Sequence, residues 1–126
     1  MSYSLDTSQN VWRLTFSGTL TGDDLQKLSE EVEKSEQTSP SAFNRLVDMR
    51  QLKGISIGFS EMSDLASRRR RQKFSNNIKS ALVTNHPIQY GFARMYQTLL
   101  SHPQITVKVF QDETEALNWL SRYDLT

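Results

Sequence analysis

Cysteine is absent from this chain, which excludes disulfides, thiolate metal sites and a cysteine nucleophile together. The absence fits a reducing compartment, so a cytoplasmic location is the expectation. An excess of charge is missing too. Fifteen Lys and Arg against 14 Asp and Glu leave a net charge of +1, so no global field draws the chain to nucleic acid or to an anionic membrane. No apolar run approaches the ~20 residues needed to span a bilayer. The first residues, Met1–Asp6, have neither a basic nor an apolar region of the secretory type, so no signal peptide is expected. Phosphate-binding glycine loops and a nucleophile elbow are also lacking. Histidine is scarce: His86 and His102 stand at opposite ends of one helical pattern, roughly 18 Å apart along its axis, too far to share a metal. No cofactor, no metal and no catalytic residue are expected, and the chain reads as no enzyme.

What remains is a regular alternation of elements over 126 residues, with no repeat, low-complexity tract or linker, so residues 1–126 are expected to form one domain. Tyr3-Ser4-Leu5 and Val11 to Phe16 alternate as strands and predict an antiparallel hairpin, with Gly18 ending the second strand. Thr21 caps a helix with Asp23 and Asp24 in its first turn and Leu25, Leu28 and Val32 as its buried stripe. Glu36 to Ser41 reads as a polar surface loop. Arg45 to Met49 is a short strand, followed across a Lys53-Gly54 turn by Ile55 to Gly58. Ser60 is placed as the cap of a second helix, which Met62, Leu65 and Ala66 turn inward and Arg68 to Arg71 close. Ile78 to Thr84 is the next strand. A third helix opens near Pro87, with Phe92, Met95, Tyr96 and Leu99 facing the core. Strand Ile105 to Phe110 and a helix opened by the Asp112-x-x-Glu115 capping box complete the chain. The order β-β-α-β-α-β-α-β-α predicts an α/β fold with a mostly parallel sheet of four to five strands, an N-terminal antiparallel hairpin and four helices. Trp12 and Trp119 are read as packing residues.

Three segments carry a likeness to a known family. They are Leu46-Val47-Asp48-Met49-Arg50, Tyr90-Gly91-Phe92-Ala93-Arg94-Met95-Tyr96, and Val107 to Phe110 with Glu115 to Leu120. In these and in the order of its elements the chain resembles the STAS superfamily, and within it the bacterial SpoIIAA-like (STAS/SEC14-related) proteins. The resemblance implies a SpoIIAA-like sandwich that binds partners and does little chemistry. Phosphorylatable STAS proteins carry a Ser in an Asp-Ser-x-Gly context where the second helix begins. Here the region reads Gly54-Ile55-Ser56-Ile57-Gly58-Phe59-Ser60-Glu61, which lacks the Asp and displaces the Gly. Ser56 and Ser60 lie in the right neighbourhood for phosphorylation, and a phosphate on Ser60 would meet the positive end of a helix. Plain capping is the commoner role of such a Ser. The SEC14-related side of the resemblance implies a lipid-like or other apolar small ligand.

The partner- or ligand-binding surface is expected on a carboxyl-end rim built from Asp48, Arg50, Ser56, Ser60, Tyr90 and Arg94, because ligands of open α/β sheets bind beyond the strand ends. Asp48 and Arg50 read equally as an ion pair that orders a loop. Tyr90 and Arg94 are one turn apart and of types enriched at interface hot spots. Gly91 between them is expected to permit a close approach, of a neighbouring strand in the first place or of a ligand. Arg68, Arg69, Arg70 and Arg71 form the densest charge cluster. They suit a membrane surface as the alternative partner, or simply a solvated helix end. No aromatics interleave with the run, which disfavours nucleic acid. The function expected is a non-enzymatic regulatory or protein-interaction module, with a homodimer or another protein as partner. The alternative is a carrier of a lipid-like or apolar small ligand, or a peripheral membrane module.

Overall fold

The computed structural model describes residues 3–41 and 43–122. Nine elements appear in the expected order: β1 (Tyr3–Asp6), β2 (Trp12–Thr21), α1 (Gly22–Thr38), β3 (Arg45–Ser56), α2 (Phe59–Arg70), β4 (Ile78–Val83), α3 (Pro87–Leu99), β5 (Ile105–Phe110) and α4 (Glu113–Ser121). The sheet runs β1-β2-β3-β4-β5. β1 pairs antiparallel with β2, Tyr3 opposite Phe16, and every other pair is parallel. The fold is therefore α/β, as the sequence predicts. Among the described residues no helix is long and apolar enough to cross a membrane.

Each parallel crossover advances one strand in the same direction. With the usual right-handed connection α1, α2 and α3 fall on one face and α4 has the other. The core divides accordingly. Leu14, Phe16, Leu28, Met49, Leu82, Ala93 and Val107 pack on the three-helix side. Leu46, Ala81, Val83, Phe110, Ala116, Trp119 and Leu120 pack under α4. β4 is buried along all six residues, Lys79 and Ser80 included, so its sequence shows no apolar–polar alternation.

Four local expectations are corrected. β2 does not end at Gly18 but continues to Thr21, because Gly18 takes φ +70° and lets the strand pass an irregularity in register. Lys53-Gly54 is not a turn. β3 is one strand of 12 residues, and Gly54 pairs with Thr19, since the long β2 offers partners for its second half. α1 runs on to Thr38, so Glu36 sits in a helix and not in a surface loop. The cap of α2 is Gly58 rather than Ser60, which lies in the first turn. The Glu61 carboxylate accepts the Gly58 N–H at 3.0 Å and performs the capping work. Thr21, His86 and Asp112 cap the other three helices through their side chains. Trp12 and Trp119 are buried, as read.

Candidate functional site

The N-termini of all four helices follow the carboxyl ends of β2 to β5, so they gather at one end of the sheet. Ser56 ends β3 in the open, and Ser60 is exposed in the first turn of α2. Phe59 beside it is 66% exposed, and Ile88 and Tyr90 in the first turn of α3 are 55% and 43% exposed. These are three of the four large apolar side chains that the described residues leave in solvent. The Arg94 guanidinium lies 6.0 Å from the Tyr90 ring centre, at the limit of a cation–π contact. Gly91 faces open space, so no strand packs closely on it and that part of the expectation fails.

A cleft of about 300 Å³ opens beside Ile88, between the second half of β3 and the start of α3. It exists because β3 overshoots its neighbour. Pairing with β4 stops at Asp48 opposite Val83, while β3 continues for eight more residues along β2 alone. Gln89, buried in α3, bridges the gap by donating to the Leu52 carbonyl at 3.0 Å and accepting the Asn85 N–H at 2.9 Å.

Asp48 and Arg50 do not join this rim as a pair. Arg50 clamps Asp48 through Nε and an Nη, both at 2.9 Å, and reaches Glu113 of α4 at 2.8 Å. Arg13 closes the set on Glu113 at 3.1 Å. The Arg50 hydrogen bond holds the Asp48 carboxyl below its ordinary range, and that bond raises Arg50 in turn. Arg13, through its hydrogen bond, does the same to Glu113 with help from Arg50. Both acids are thus committed anions whose partners are already supplied. The four groups anchor α4 to its face of the sheet, and only Arg50 also borders the cleft.

A second charged cluster lies where the sequence predicts a loop and a solvated helix end. Glu36, with a side chain 5% exposed, accepts from Arg69 at 2.7 and 3.0 Å and from Arg45 at 2.8 Å. Burial would raise the Glu36 carboxyl, but Arg69 and Arg45 outweigh it and hold the group low. The two arginines move in opposite directions. Burial pulls both down; the paired bonds to Glu36 overcome it at Arg69, which ends raised, but the single bond at Arg45 does not. Geometry agrees: Glu36 belongs chiefly to Arg69, and Arg45 is left under-compensated. Arg68 pairs with Glu33 at 2.6 Å and Arg70 donates to the Leu99 carbonyl at 2.8 Å. Three of the run's four arginines are therefore engaged, and Arg69 is buried, while Arg70 and Arg71 stay exposed at the helix end. A sequence signal for this cluster exists. Glu36 is one turn beyond Val32, Arg69 one turn beyond Leu65, and Arg45 two residues before Val47, so each occupies an inward phase of its element.

Above the cluster lies an apolar cavity of about 110 Å³ between α2 and the sheet. α2 approaches α1 and α3 more closely than any strand. Its buried residues are only Met62, Ala66 and Arg69, too little side chain to fill the space beneath it. Among the described residues no group of three or more His, Asp or Glu is placed to hold a metal ion.

The chain is similar to known proteins in sequence and in fold. A family model described as SpoIIAA-like matches residues 11–121. An uncharacterised protein with a SpoIIAA-like fold from Shewanella loihica PV-4 superposes with a TM-score of 0.62 at 20% identity, over 94% of this chain and 91% of that one. An anti-sigma factor antagonist from Mycobacterium paratuberculosis superposes with the same TM-score at 13% identity, over 95% and 93%. At these identities the likeness is one of fold. No curated protein sequence matches the chain.

Proposed function

The chain belongs to the SpoIIAA-like family, and from that premise we propose that it is a non-enzymatic regulatory module that docks a protein partner on the carboxyl-end rim. One observation carries this reading: Phe59, Ile88 and Tyr90 stand exposed together at the N-termini of α2 and α3. Aromatic anchors beside an arginine are the composition of an interface centre. That one structural neighbour is an anti-sigma factor antagonist supports a protein as the partner. A second copy of the chain is the homodimeric form of the same proposal, and the cytoplasm is its setting. Ser56 and Ser60 border the patch in the open, so a phosphate on either would add charge to the docking surface, and on Ser60 it would face the free N–H groups of α2. A membrane partner gains little from most of the arginine run, since Arg68, Arg69 and Arg70 already serve Glu33, Glu36 and the Leu99 carbonyl.

The test is affinity capture from the native host with wild type, with Phe59→Ala/Tyr90→Ala, and with Gln26→Ala on α1 as control. Wild type and control should retain the same specific partner and the rim variant should lose it about tenfold or more. Capture that ignores the rim substitution would place the interface elsewhere and sink the proposal.

A second reading, an apolar small-ligand binder, rests on the cavity under α2. Its volume is far below the ~300 Å³ of ordinary drug-sized sites. A full lipid does not fit it, and a small molecule does.

A further inference from the structure

β3 leaves part of one edge without a partner strand. Its pairing with β4 ends at Asp48, whereas its pairing with β2 runs on to Ser56. An open edge presents unpaired N–H and C=O groups, a template for a further strand. The groove such a strand would enter is the cleft beside Ile88, with Arg50, Leu52, Lys53, Gly54 and Ile55 along one wall and the start of α3 along the other. Gln89 shows how the edge is aimed. Its buried side-chain amide donates to the Leu52 carbonyl, standing in for one peptide group of the missing neighbour. Beyond Leu52, among the described residues, no group from outside the sheet hydrogen-bonds Lys53, Gly54 or Ile55. Charge selects the occupant. The cleft is lined by Arg50, Lys53 and His86 and by no acid. Lys53 is exposed and has no partner among the described residues. Arg50 commits Nε and one Nη to its acids, which leaves the other Nη without a partner among the described residues. His86 accepts the Ile88 N–H at Nδ1, so its Nε2 is a donor. A second copy pairing through the same edge would set these groups against their own likes, with no acid among them. An exposed Lys guards an edge against such pairing, and an acidic strand is the one it admits. Alternate side chains of an added strand point to opposite faces, and Ile55 and Ile88 offer apolar surface to those that are not acidic.

Resting on the docking reading, we propose that the partner adds an extended acidic segment to the free edge of β3, between Lys53 and Ile88. The test is a heteronuclear NMR titration of the full chain with a blocked Glu-Val-Glu-Val-Glu peptide, its Lys-Val-Lys-Val-Lys counterpart, and citrate, which carries the charge without a strand. The acidic peptide should move the amides of Lys53, Gly54 and Ile55 and show backbone-to-backbone contacts with β3. Lys53→Glu, at an exposed side chain with no partner to lose, should weaken the acidic peptide about fivefold and admit the basic one. No binding of the acidic peptide, equal binding of both peptides, or shifts confined to other elements overturns the proposal. Citrate that moves the same amides as tightly as the peptide overturns it too, since charge alone would then suffice. The docking reading keeps its own test. Partner capture lost on Phe59→Ala/Tyr90→Ala but kept on Lys53→Glu sinks the strand proposal alone, and capture that ignores both substitutions sinks the two together.

Discussion

Replacing Glu36 with Gln tests the buried cluster most directly. The carboxylate accepts three charge-assisted hydrogen bonds, and the arginine side chains that supply them are 10% and 8% exposed. Gln keeps one oxygen acceptor but no charge, so two guanidiniums are left buried together. Breaking a buried pair costs about 3–5 kcal/mol, and the retained acceptor and nearby Glu33 put the expectation near the lower end, about 3 kcal/mol. For a chain of this size that is a fall in Tm of about 10 °C. The pH dependence has a definite sign. Glu36 is held below its ordinary 4.5 in the folded chain. Its stabilisation is therefore complete above the unfolded value and is lost as pH falls through the lower folded one. The difference between wild type and variant should be full at neutral pH and narrow progressively below about pH 4.5. Urea unfolding followed by circular dichroism, at neutral pH and down to about pH 3, measures both quantities. A loss under about 1 kcal/mol at neutral pH, or a difference that ignores pH, would refute the account. A triple replacement, Glu36→Leu with Arg45→Met and Arg69→Met, should by contrast cost little, because an apolar cluster carries no desolvation penalty.

Gly18→Ala should cost about 1 kcal/mol in the same urea assay, since φ +70° strains any side chain with a Cβ; a neutral result would mean that the register irregularity in β2 does not need glycine. Gly22→Ala would normally favour a helix start, but its Cβ would collide with the Glu61 carboxylate that caps α2. It should destabilise in the presence of Glu61 and become neutral or stabilising in a Glu61→Ala background. The double-mutant cycle should show a coupling of about 0.5–1 kcal/mol, and additivity would contradict the contact. Amides of α2 should exchange hydrogen faster than those of α1 and α3, as the helix that rests on its neighbouring helices rather than on the sheet opens first. Protection in α2 equal to that of the core strands would show that its ion pairs hold it as firmly as packing does.

The elements were legible because their signals are local. Apolar phase in α1 and α3, the caps at Thr21 and Asp112, and the runs of β4 and β5 each declare themselves within a few residues. What could not be read depends on partners distant in sequence. β3 looks like two short strands until the length of β2 is known, because Lys53-Gly54 is turn-like only in isolation. Ser60 is a good cap by composition, and loses the position to Gly58 because Glu61 reaches back to its N–H. The rim divides for a similar reason. Asp48 and Arg50 sit on the same strand as Ser56 but six or more residues before it, where Arg50 reaches Glu113, 63 residues beyond it in sequence. Tyr90 and Arg94 are recognisable as a pair, whereas Ile88 stands out only once its exposure is known. The arginine run shows the limit most sharply. A count of charges sees a basic patch, and only helical phase reveals that Arg69 points inward.

The features that matter here meet in α2, and its composition explains why. The segment Phe59–Arg70 has one large apolar residue fully buried, Met62, with the small Ala66 one turn on and Arg69 after that. Such a helix cannot be seated by hydrophobic burial alone, at roughly 25 cal/mol per Å² of apolar surface. It is fastened instead by charge at its far end, where Arg68 and Arg69 grip α1 and Arg70 grips the end of α3. Its near end is held by one Glu61 cap and presents Phe59 and Ser60 outward. The same shortage of apolar side chains leaves the cavity beneath its middle. That the sequence places Ser63, Ala66, Ser67 and arginines along α2 marks a helix held by more than hydrophobic burial.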